Sequence, residues 1–252
     1  MQLLTIETTG ASASVALSDQ AGNRILETSS ERMNHLQNLM TMIQSVLKKR
    51  SLQISDVTAI AVSEGPGSFT GIRIGVSAAR ALAQALSLPV IPVPTLQSFV
   101  YQEPSGENFI VSPLFDARRS QVYAGAYRLA DPAEKEEHSS NGGILPVVEG
   151  KAWDVREYLT RLAEQADREV RFYGDGTGVY EKEIQECVET LAGRGIRGSI
   201  AEPENRFQRA DSVSKLGMEL MNAGKKVNYG QVKPVYMRKA EAERKLEEAC
   251  QK

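Results

Sequence analysis

The alternation of apolar and polar residues in the first hundred positions predicts a mixed α/β sheet. Strand patterns at Leu3–Thr8, Ser14–Ser18 and Arg24–Thr28 are separated by polar turns, which indicates an antiparallel meander. Two helix-period patterns follow, at 33–49 and 71–88. A short apolar run typical of a buried strand comes after each of them, at 57–63 and at 90–93. The order β-β-β-α-β-α-β favours one mixed sheet with helices on its faces.

The second half of the chain repeats the way the first half begins. A strand pattern ends in Asp116, a polar turn follows, and another strand pattern begins around Val122. In the first half the first strand carries Glu7 near its end, and a polar turn leads to a strand at Val15. The correspondence indicates a weak internal duplication, with an acidic residue at the end of the first strand of each half.

Length and composition are consistent with two such halves. The chain has 252 residues, of which 41% are hydrophobic and 25% charged, as in ordinary globular proteins. We expect a first lobe over residues 1–105 and a second over 106–206. A helix at 209–223 is expected to pack back on the first lobe, and residues 239–252 form a polar tail.

Charge and residue counts exclude several classes of protein. A formal net charge of −2 provides no strong field for direct binding to nucleic acid or anionic lipid. Two cysteines are too few for a disulfide scaffold. Together with the two histidines they cannot alone supply a four-ligand zinc site. No apolar run reaches the roughly 18–20 residues of a membrane span, and the first residues lack the features of a secretory signal. The expected location is the cytoplasm.

The two helices of the first half have wider apolar arcs than one sheet requires. The arc of the first helix is roughly 180°, whereas covering a sheet requires only about 100°. In the second helix, apolar residues recur with the 4-3-4-3 spacing of a helix that packs on another helix. The expected partner surface consists of Met33, Leu36, Leu39, Met40, Ile43, Leu47, Ile72, Val76, Ala79, Ala83 and Leu86. The alternative is that the helices pack only on each other and on their own sheet.

The glycine-rich segment before the second helix is a candidate anion site. A glycine turn that opens a helix can present backbone N–H groups to an anion. The candidate residues are Gly65, Gly67, Ser68, Gly71 and Arg73. The segment matches neither the Walker pattern nor the dinucleotide fingerprint. The alternative is a tight turn in which small residues allow the helix to pack closely.

Three acidic residues end predicted strands, where sites of open sheets are commonly found. These are Glu7, Glu64 and Asp116, and together they could hold magnesium for phosphoryl transfer or nucleic-acid cleavage. An acidic residue at a strand end can equally be solvated, and this alternative stays open.

Four segments in order along the chain resemble the TsaB family, also called YeaZ. They are LLTIETT near the start, GPGSFTGIRIG (Gly65–Gly75), DARRSQVYAG (Asp116–Gly125) and PVYMRKAEAE (Pro234–Glu243). The resemblance implies an actin/Hsp70-like α/β fold, also described as ASKHA or ribonuclease-H-like. In this fold two related mixed-sheet lobes face each other, and in TsaB the fold is degenerate as an ATPase.

The resemblance also implies a function. TsaB proteins take part in forming N6-threonylcarbamoyladenosine at position 37 of tRNAs that read codons beginning with A. In that system TsaD transfers the threonylcarbamoyl group, TsaB is its non-catalytic partner, and TsaE is an ATPase that joins them. The family's TsaB–TsaD contact is a bundle of the first two helices of each protein. We therefore expect TsaD as the partner, TsaE and tRNA through the complex, and a homodimer when the protein is alone.

Two features agree with a non-catalytic subunit. The metal-binding His-x-x-x-His of TsaD is absent, because His35 and His138 are the only histidines. Glu7 stands where this family usually has aspartate. We expect no catalytic residue, no metal and no cofactor, except for ATP or ADP at an interface shared with TsaD. The alternative is an ATP-dependent kinase or hydrolase with Glu7, Glu64 and Asp116 around magnesium, and a ribonuclease-H-type nuclease is a third class.

Overall fold

A computed structural model of the chain describes residues 1–29, 35–102, 109–131, 133–134 and 137–238. The side chains of residues 35–37 lie outside that description. Within the described part, no helix combines the length and the apolar character needed to cross a membrane.

Five strands form the first sheet: β1 (Gln2–Glu7), β2 (Ser14–Asp19), β3 (Arg24–Thr28), β4 (Ala59–Gly65) and β5 (Val90–Pro94). They lie in the order β3-β2-β1-β4-β5. The first three strands form an antiparallel meander, and β4 and β5 run parallel to β1 on its other side. This is the mixed sheet that the sequence pattern predicts.

The second sheet has the same topology. Its strands are β6 (Ile110–Asp116), β7 (Gln121–Leu129), β8 (Ile144–Asp154), β9 (Val170–Tyr173) and β10 (Gly198–Ile200). They lie in the order β10-β9-β6-β7-β8, again with an antiparallel meander and two parallel strands beyond its first member. The internal duplication suggested by the sequence is therefore present in the fold.

Helices pack on the outer faces of both sheets and between the sheets. They are α1 (His35–Lys49), α2 (Phe69–Leu86), α3 (Thr95–Ser98), α4 (Val155–Gln165), α5 (Gly176–Val179), α6 (Glu181–Gly193) and α7 (Ala210–Asn222). Residues of α1 and α2 form one apolar core with the first sheet, and residues of α4 and α6 form a second with the second sheet. Burial of these apolar faces removes a large nonpolar area from water, which is the main stabilising contribution to folding.

A third core lies between the two sheets and includes α7. This helix follows the second sheet in the chain but packs on β1, β2, β4 and β5 of the first. The backbone N–H of Ala210 donates to Ser14 Oγ at 2.9 Å, and the hydroxyls of Ser18 and Ser214 are 2.6 Å apart. The core therefore joins the inner faces of both sheets. The expected tail, residues 239–252, lies outside the described residues.

Candidate functional site

The outward face of α2 is the first component of the candidate site. Four apolar residues with spacing of four, three and four positions are half-buried or exposed on this helix: Ile74, Ala78, Ala81 and Ala85. We call them the outward stripe. Ile74, Ala81 and Ala85 face away from the buried side of α2, and half-buried Ala78 also packs against the edge of the first core. Small residues at this spacing allow a second helix to approach closely.

The outward side of α1 is more polar. Met40 is 49% exposed, and Thr41, Gln44 and Lys48 are exposed on the same side of the helix. Among the α1 side chains that the structure describes, residues 38–49, Met40 is therefore the exposed apolar one. Its unbranched, polarisable side chain suits an adaptable contact.

The structure corrects the expected partner surface at seven positions. Their side chains are buried in the core of the first lobe: Leu39, Ile43, Leu47, Ile72, Val76, Ala79 and Ala83. The remaining positions differ, since Met40 is exposed, Leu86 is half-buried, and Met33 and the Leu36 side chain lie outside the described residues. The physical reason is that the apolar arc of α1 packs on the sheet, while α2 is apolar on two sides and packs the side with the larger residues on the sheet.

The glycines of the candidate anion loop are in close contact with the protein's own chain. A Cβ on Gly65 would lie 2.3 Å from the carbonyl oxygen of Val235, and one on Gly67 would lie 2.6 Å from Thr9. A Cβ on Gly71 would lie 2.0 Å from the carbonyl oxygen of Thr8. These glycines therefore serve close packing, the alternative that the sequence left open.

Four backbone N–H groups of this loop are also used internally. Gly65 N donates to Thr95 Oγ1 at 3.2 Å, and Ser68 N donates to the Thr9 carbonyl at 2.8 Å. Gly71 N donates to Ser68 Oγ, which caps α2, and Ile72 N donates to the Ser68 carbonyl. An N–H that already has an acceptor is not available to a phosphate. These four N–H groups are therefore not available to a nucleotide phosphate.

Arg73, the last residue of that candidate set, belongs to a different arrangement. Its guanidinium carbon lies 4.0 Å from the ring centroid of Phe69, and its Nε donates to the Tyr236 hydroxyl at 2.8 Å. Neither Phe69 nor Tyr236 is among the site residues that the sequence pattern predicts. Because 163 positions separate Arg73 from Tyr236, no local pattern could have paired them.

Glu7 lies fully buried at the end of β1. Its Oε1 accepts from the Thr9 hydroxyl at 2.6 Å, and its Oε2 accepts from the Ser63 hydroxyl. Burial raises the pKa of Glu7, although the hydrogen bonds from Ser63 and Thr9 oppose that shift. Both oxygens thus have partners within the protein.

The three acidic residues do not form a metal site. Asp116 accepts from the backbone N–H of Arg118 at 2.8 Å and from the Tyr180 hydroxyl at 3.0 Å, within the second lobe. Among the residues that the structure describes, no group of three or more histidine, cysteine or acidic side chains is placed to hold a metal ion. The arrangement does not support magnesium between Glu7, Glu64 and Asp116.

Glu64 is expected to contribute a pH-dependent part of the protein's stability. Burial raises the pKa of Glu64 to about 7 from its ordinary value of 4.5. Between these values the folded state retains a proton that the unfolded state has released, so the free energy of unfolding falls as the pH rises from 4.5 to 7. We expect Glu64→Gln to remove this dependence and to stabilise the protein at pH 8 by roughly 1–3 kcal/mol.

Urea unfolding at a series of pH values measures this difference. Glu164→Gln, a change at an exposed position of α4, is the matched control and should follow the wild-type curve. A Glu64→Gln curve parallel to the wild-type curve from pH 4 to 8 would contradict the assignment.

The topology of the two lobes and a family match define the class of the protein. Two lobes with one topology form the actin-like fold. The family model described as "TsaD: tRNA N6-adenosine threonylcarbamoyltransferase" matches residues 27–246. The chain therefore belongs to the broad family that this model describes.

Individual relatives narrow the class to one family. The tRNA threonylcarbamoyladenosine biosynthesis protein TsaB of Bacillus subtilis is 33% identical, over 85% of this chain and 84% of the relative. TsaB of Escherichia coli is 28% identical over 98% of both chains. The solved structure of YeaZ from Pseudomonas aeruginosa matches with a TM-score of 0.71 and 26% identity, over 93% of this chain and 99% of that one. The chain belongs to the TsaB family of tRNA threonylcarbamoyladenosine biosynthesis proteins.

Proposed function

We propose that this protein is the non-catalytic subunit that activates TsaD in the formation of N6-threonylcarbamoyladenosine at position 37 of tRNAs reading codons that begin with A. TsaD carries out the transfer, TsaE joins the assembly through the complex, and tRNA is held mainly by the other subunits. The observation that carries the proposal is the outward stripe of α2, which lies on the helix that the family uses for this contact.

The chemistry of the chain supports a role without catalysis. The chain lacks the paired histidines with which TsaD holds its metal, since it contains only His35 and His138. Both carboxylate oxygens of Glu7 accept hydrogen bonds from side chains of the same lobe. The space beside the glycines of the loop is occupied by backbone atoms of other segments of the chain. The proposed role therefore depends on binding energy at the helix face. ATP or ADP, where it takes part, would bind at the interface with TsaD.

The same face accounts for the proposed behaviour of the isolated protein. Exposed apolar residues at helix-packing spacing are unfavourable in water and favour association. A symmetric dimer is the commonest way to cover such a face. We propose that the protein alone forms a weak homodimer through α1 and α2, which TsaD displaces.

Ala81→Arg tests the proposed function. Ala81 is an exposed member of the outward stripe, so arginine is compatible with the folded monomer but brings a charge into the helix contact. We expect TsaD affinity to fall at least tenfold, about 1.4 kcal/mol or more, and reconstituted tRNA modification to fall with it. Isothermal titration with TsaD and a modification assay measure both quantities.

The control variant is Ala192→Arg. It makes the same change at an exposed alanine of α6, on the second lobe, and should leave binding and modification unchanged. Both variants should melt like wild type. Ala81→Arg protein that binds TsaD with unchanged affinity would show that α2 is not the contact.

A further inference from the structure

The end of α2 closest to the glycine loop carries a stacked side-chain cluster formed with the C-terminal part of the chain. The guanidinium carbon of Arg73 lies 4.0 Å from the centroid of the Phe69 ring. The same carbon lies 5.8 Å from the centroid of the Tyr236 ring. The two rings are themselves 4.9 Å apart and tilted by 30°. We call Phe69, Arg73 and Tyr236 the aromatic–arginine cluster. Stacking and the hydrogen bond from Arg73 to the Tyr236 hydroxyl fix all three side chains in one arrangement.

The segment that carries Tyr236 is anchored from behind. The backbone N–H of Val235 donates to the Glu64 carbonyl at 2.7 Å, and the Val235 carbonyl occupies the space beside Gly65 that a Cβ would fill. Two residues after Tyr236, Arg238 Nη1 donates to the Ala117 carbonyl of the second lobe at 3.2 Å. The segment is therefore held to both lobes by its backbone and by Arg238, while the side chains of Val235 and Tyr236 point outward.

Exposed apolar side chains concentrate at this place. Large hydrophobic residues that are exposed in the described part of the chain include Phe69 at 42%, Val235 at 41% and Tyr236 at 39%. Phe69 and Tyr236 stack on each other and form one patch, and Val235 precedes Tyr236 in the chain. The patch continues into a shallow groove on α2 lined by Phe69, Thr70, Arg73, Ile74, Ser77 and Ala78. Since Ile74 and Ala78 belong to the outward stripe, the cluster and the stripe form one continuous surface.

From this continuity we infer that the aromatic–arginine cluster lies at one end of the TsaD-binding surface and contributes a dominant share of the binding free energy. The inference rests on the proposed function and extends it to a segment near residue 236 that is remote in sequence from α2. Tyrosine and arginine are the side chains most enriched at positions that dominate binding energy. Here they lose little conformational freedom on binding, because stacking already holds them in place. The matching surface on TsaD should be apolar, with an oxygen acceptor for the remaining Arg73 N–H groups.

The test compares Tyr236→Ala with Phe207→Ala in the full-length protein. Phe207 is an aromatic residue with a similar exposure of 45% that lies outside the patch. We expect Tyr236→Ala to weaken TsaD binding at least tenfold in isothermal titration, and Phe207→Ala to change it less than twofold. Phe69→Ala, on a different element, should reproduce the loss and gives a second measurement if Tyr236→Ala lowers the melting temperature. Tyr236→Phe keeps the ring and should retain most of the affinity.

The outcomes separate this inference from the proposed function. Loss of affinity in Ala81→Arg together with full affinity in Tyr236→Ala and Phe69→Ala would overturn the inference and leave the proposed function in place. Full affinity in all three variants would overturn both. A weaker homodimer in Tyr236→Ala with unchanged TsaD binding would assign the patch to a second copy of the chain, and would also overturn the inference. Loss in Tyr236→Ala and Phe69→Ala with normal melting would support it.

Discussion

Val76→Glu is expected to destabilise the first lobe severely, whereas Ala81→Glu on the same helix is expected to fold normally. Val76 is only 2% exposed and lies in the core that α1 and α2 form with the first sheet. An ionised carboxylate buried there without a partner costs about 3–5 kcal/mol, which is a large share of the 5–15 kcal/mol that stabilises a typical domain. We expect the melting temperature to fall by roughly 10 °C or more.

Thermal unfolding followed by circular dichroism measures this difference. Ala81 is exposed, so its glutamate variant should melt within about 2 °C of wild type. A Val76→Glu protein that melts normally would show that Val76 faces outward, as the sequence pattern first indicated. Loss of TsaD binding in Val76→Glu would therefore report unfolding of the first lobe. A substitution at Ala81 tests the outward stripe itself.

Gly71→Ala is expected to be almost as destabilising, although it adds a single methyl group. Its Cβ would lie 2.0 Å from the carbonyl oxygen of Thr8 and 3.2 Å from the Ser68 Cβ, well inside van der Waals contact. Helix α2 would have to move away from the end of β1, and its hydrogen bond from Thr8 Oγ1 to the Gly71 carbonyl, now 2.7 Å, would lengthen. We expect a loss of roughly 3 kcal/mol in the free energy of unfolding.

Gly193→Ala is the matched control for this change. No atom lies within 4 Å of the Cβ position at Gly193, which ends α6. Alanine there should leave the stability unchanged or raise it by up to about 1 kcal/mol, since alanine favours helix more than glycine does. Urea unfolding of both variants measures the effect. Equal stability of Gly71→Ala and wild type would show that β1 and α2 can separate without cost.

The topology of the first lobe could be predicted from the sequence because each of its elements has a clear period. Strands with alternating residues and helices with a 3.6-residue period follow one another with short turns, so few arrangements are possible. Strand β8 has no clear alternation of apolar and polar residues in its sequence. Its sequence, ILPVVEGKAWD, includes a proline, a glycine and charged residues, and the register shifts where β7 pairs with it. Its place in the sheet depends on β7, and not on a strong pattern of its own.

The orientation of α2 could not be predicted from the sequence, because periodicity describes an apolar arc and not the direction in which it faces. On α2 the series Ile72, Val76, Ala79, Ala83 and the series Ile74, Ala78, Ala81, Ala85 both have helix-packing spacing. The helix packs its bulkier series on the sheet, since this buries more apolar area. Alanine is equally compatible with a core and with a helix contact, so residue type alone could not separate the two sides.

The glycine loop could not be assigned from the sequence for a different reason. Glycine is required both where a phosphate approaches the backbone and where another part of the chain does. The neighbour that decides between them at Gly65 is Val235, which lies 170 positions further along the chain. The family motif around residues 234–243 is a visible signal that this segment matters, but the motif does not indicate what the segment contacts.

The position of α7 has a consequence for the order in which the protein can mature during translation. The inner face of the first sheet is covered by a helix that is translated only after every strand of the second sheet. Because synthesis proceeds from the N-terminus, the ribosome completes the second lobe while Leu3, Ala61 and Val93 still lack the α7 residues that cover them. The lobe that begins the chain is thus the last to finish folding. Nascent chains that stop before residue 210 would lack the α7 residues that cover the apolar inner face of the first sheet.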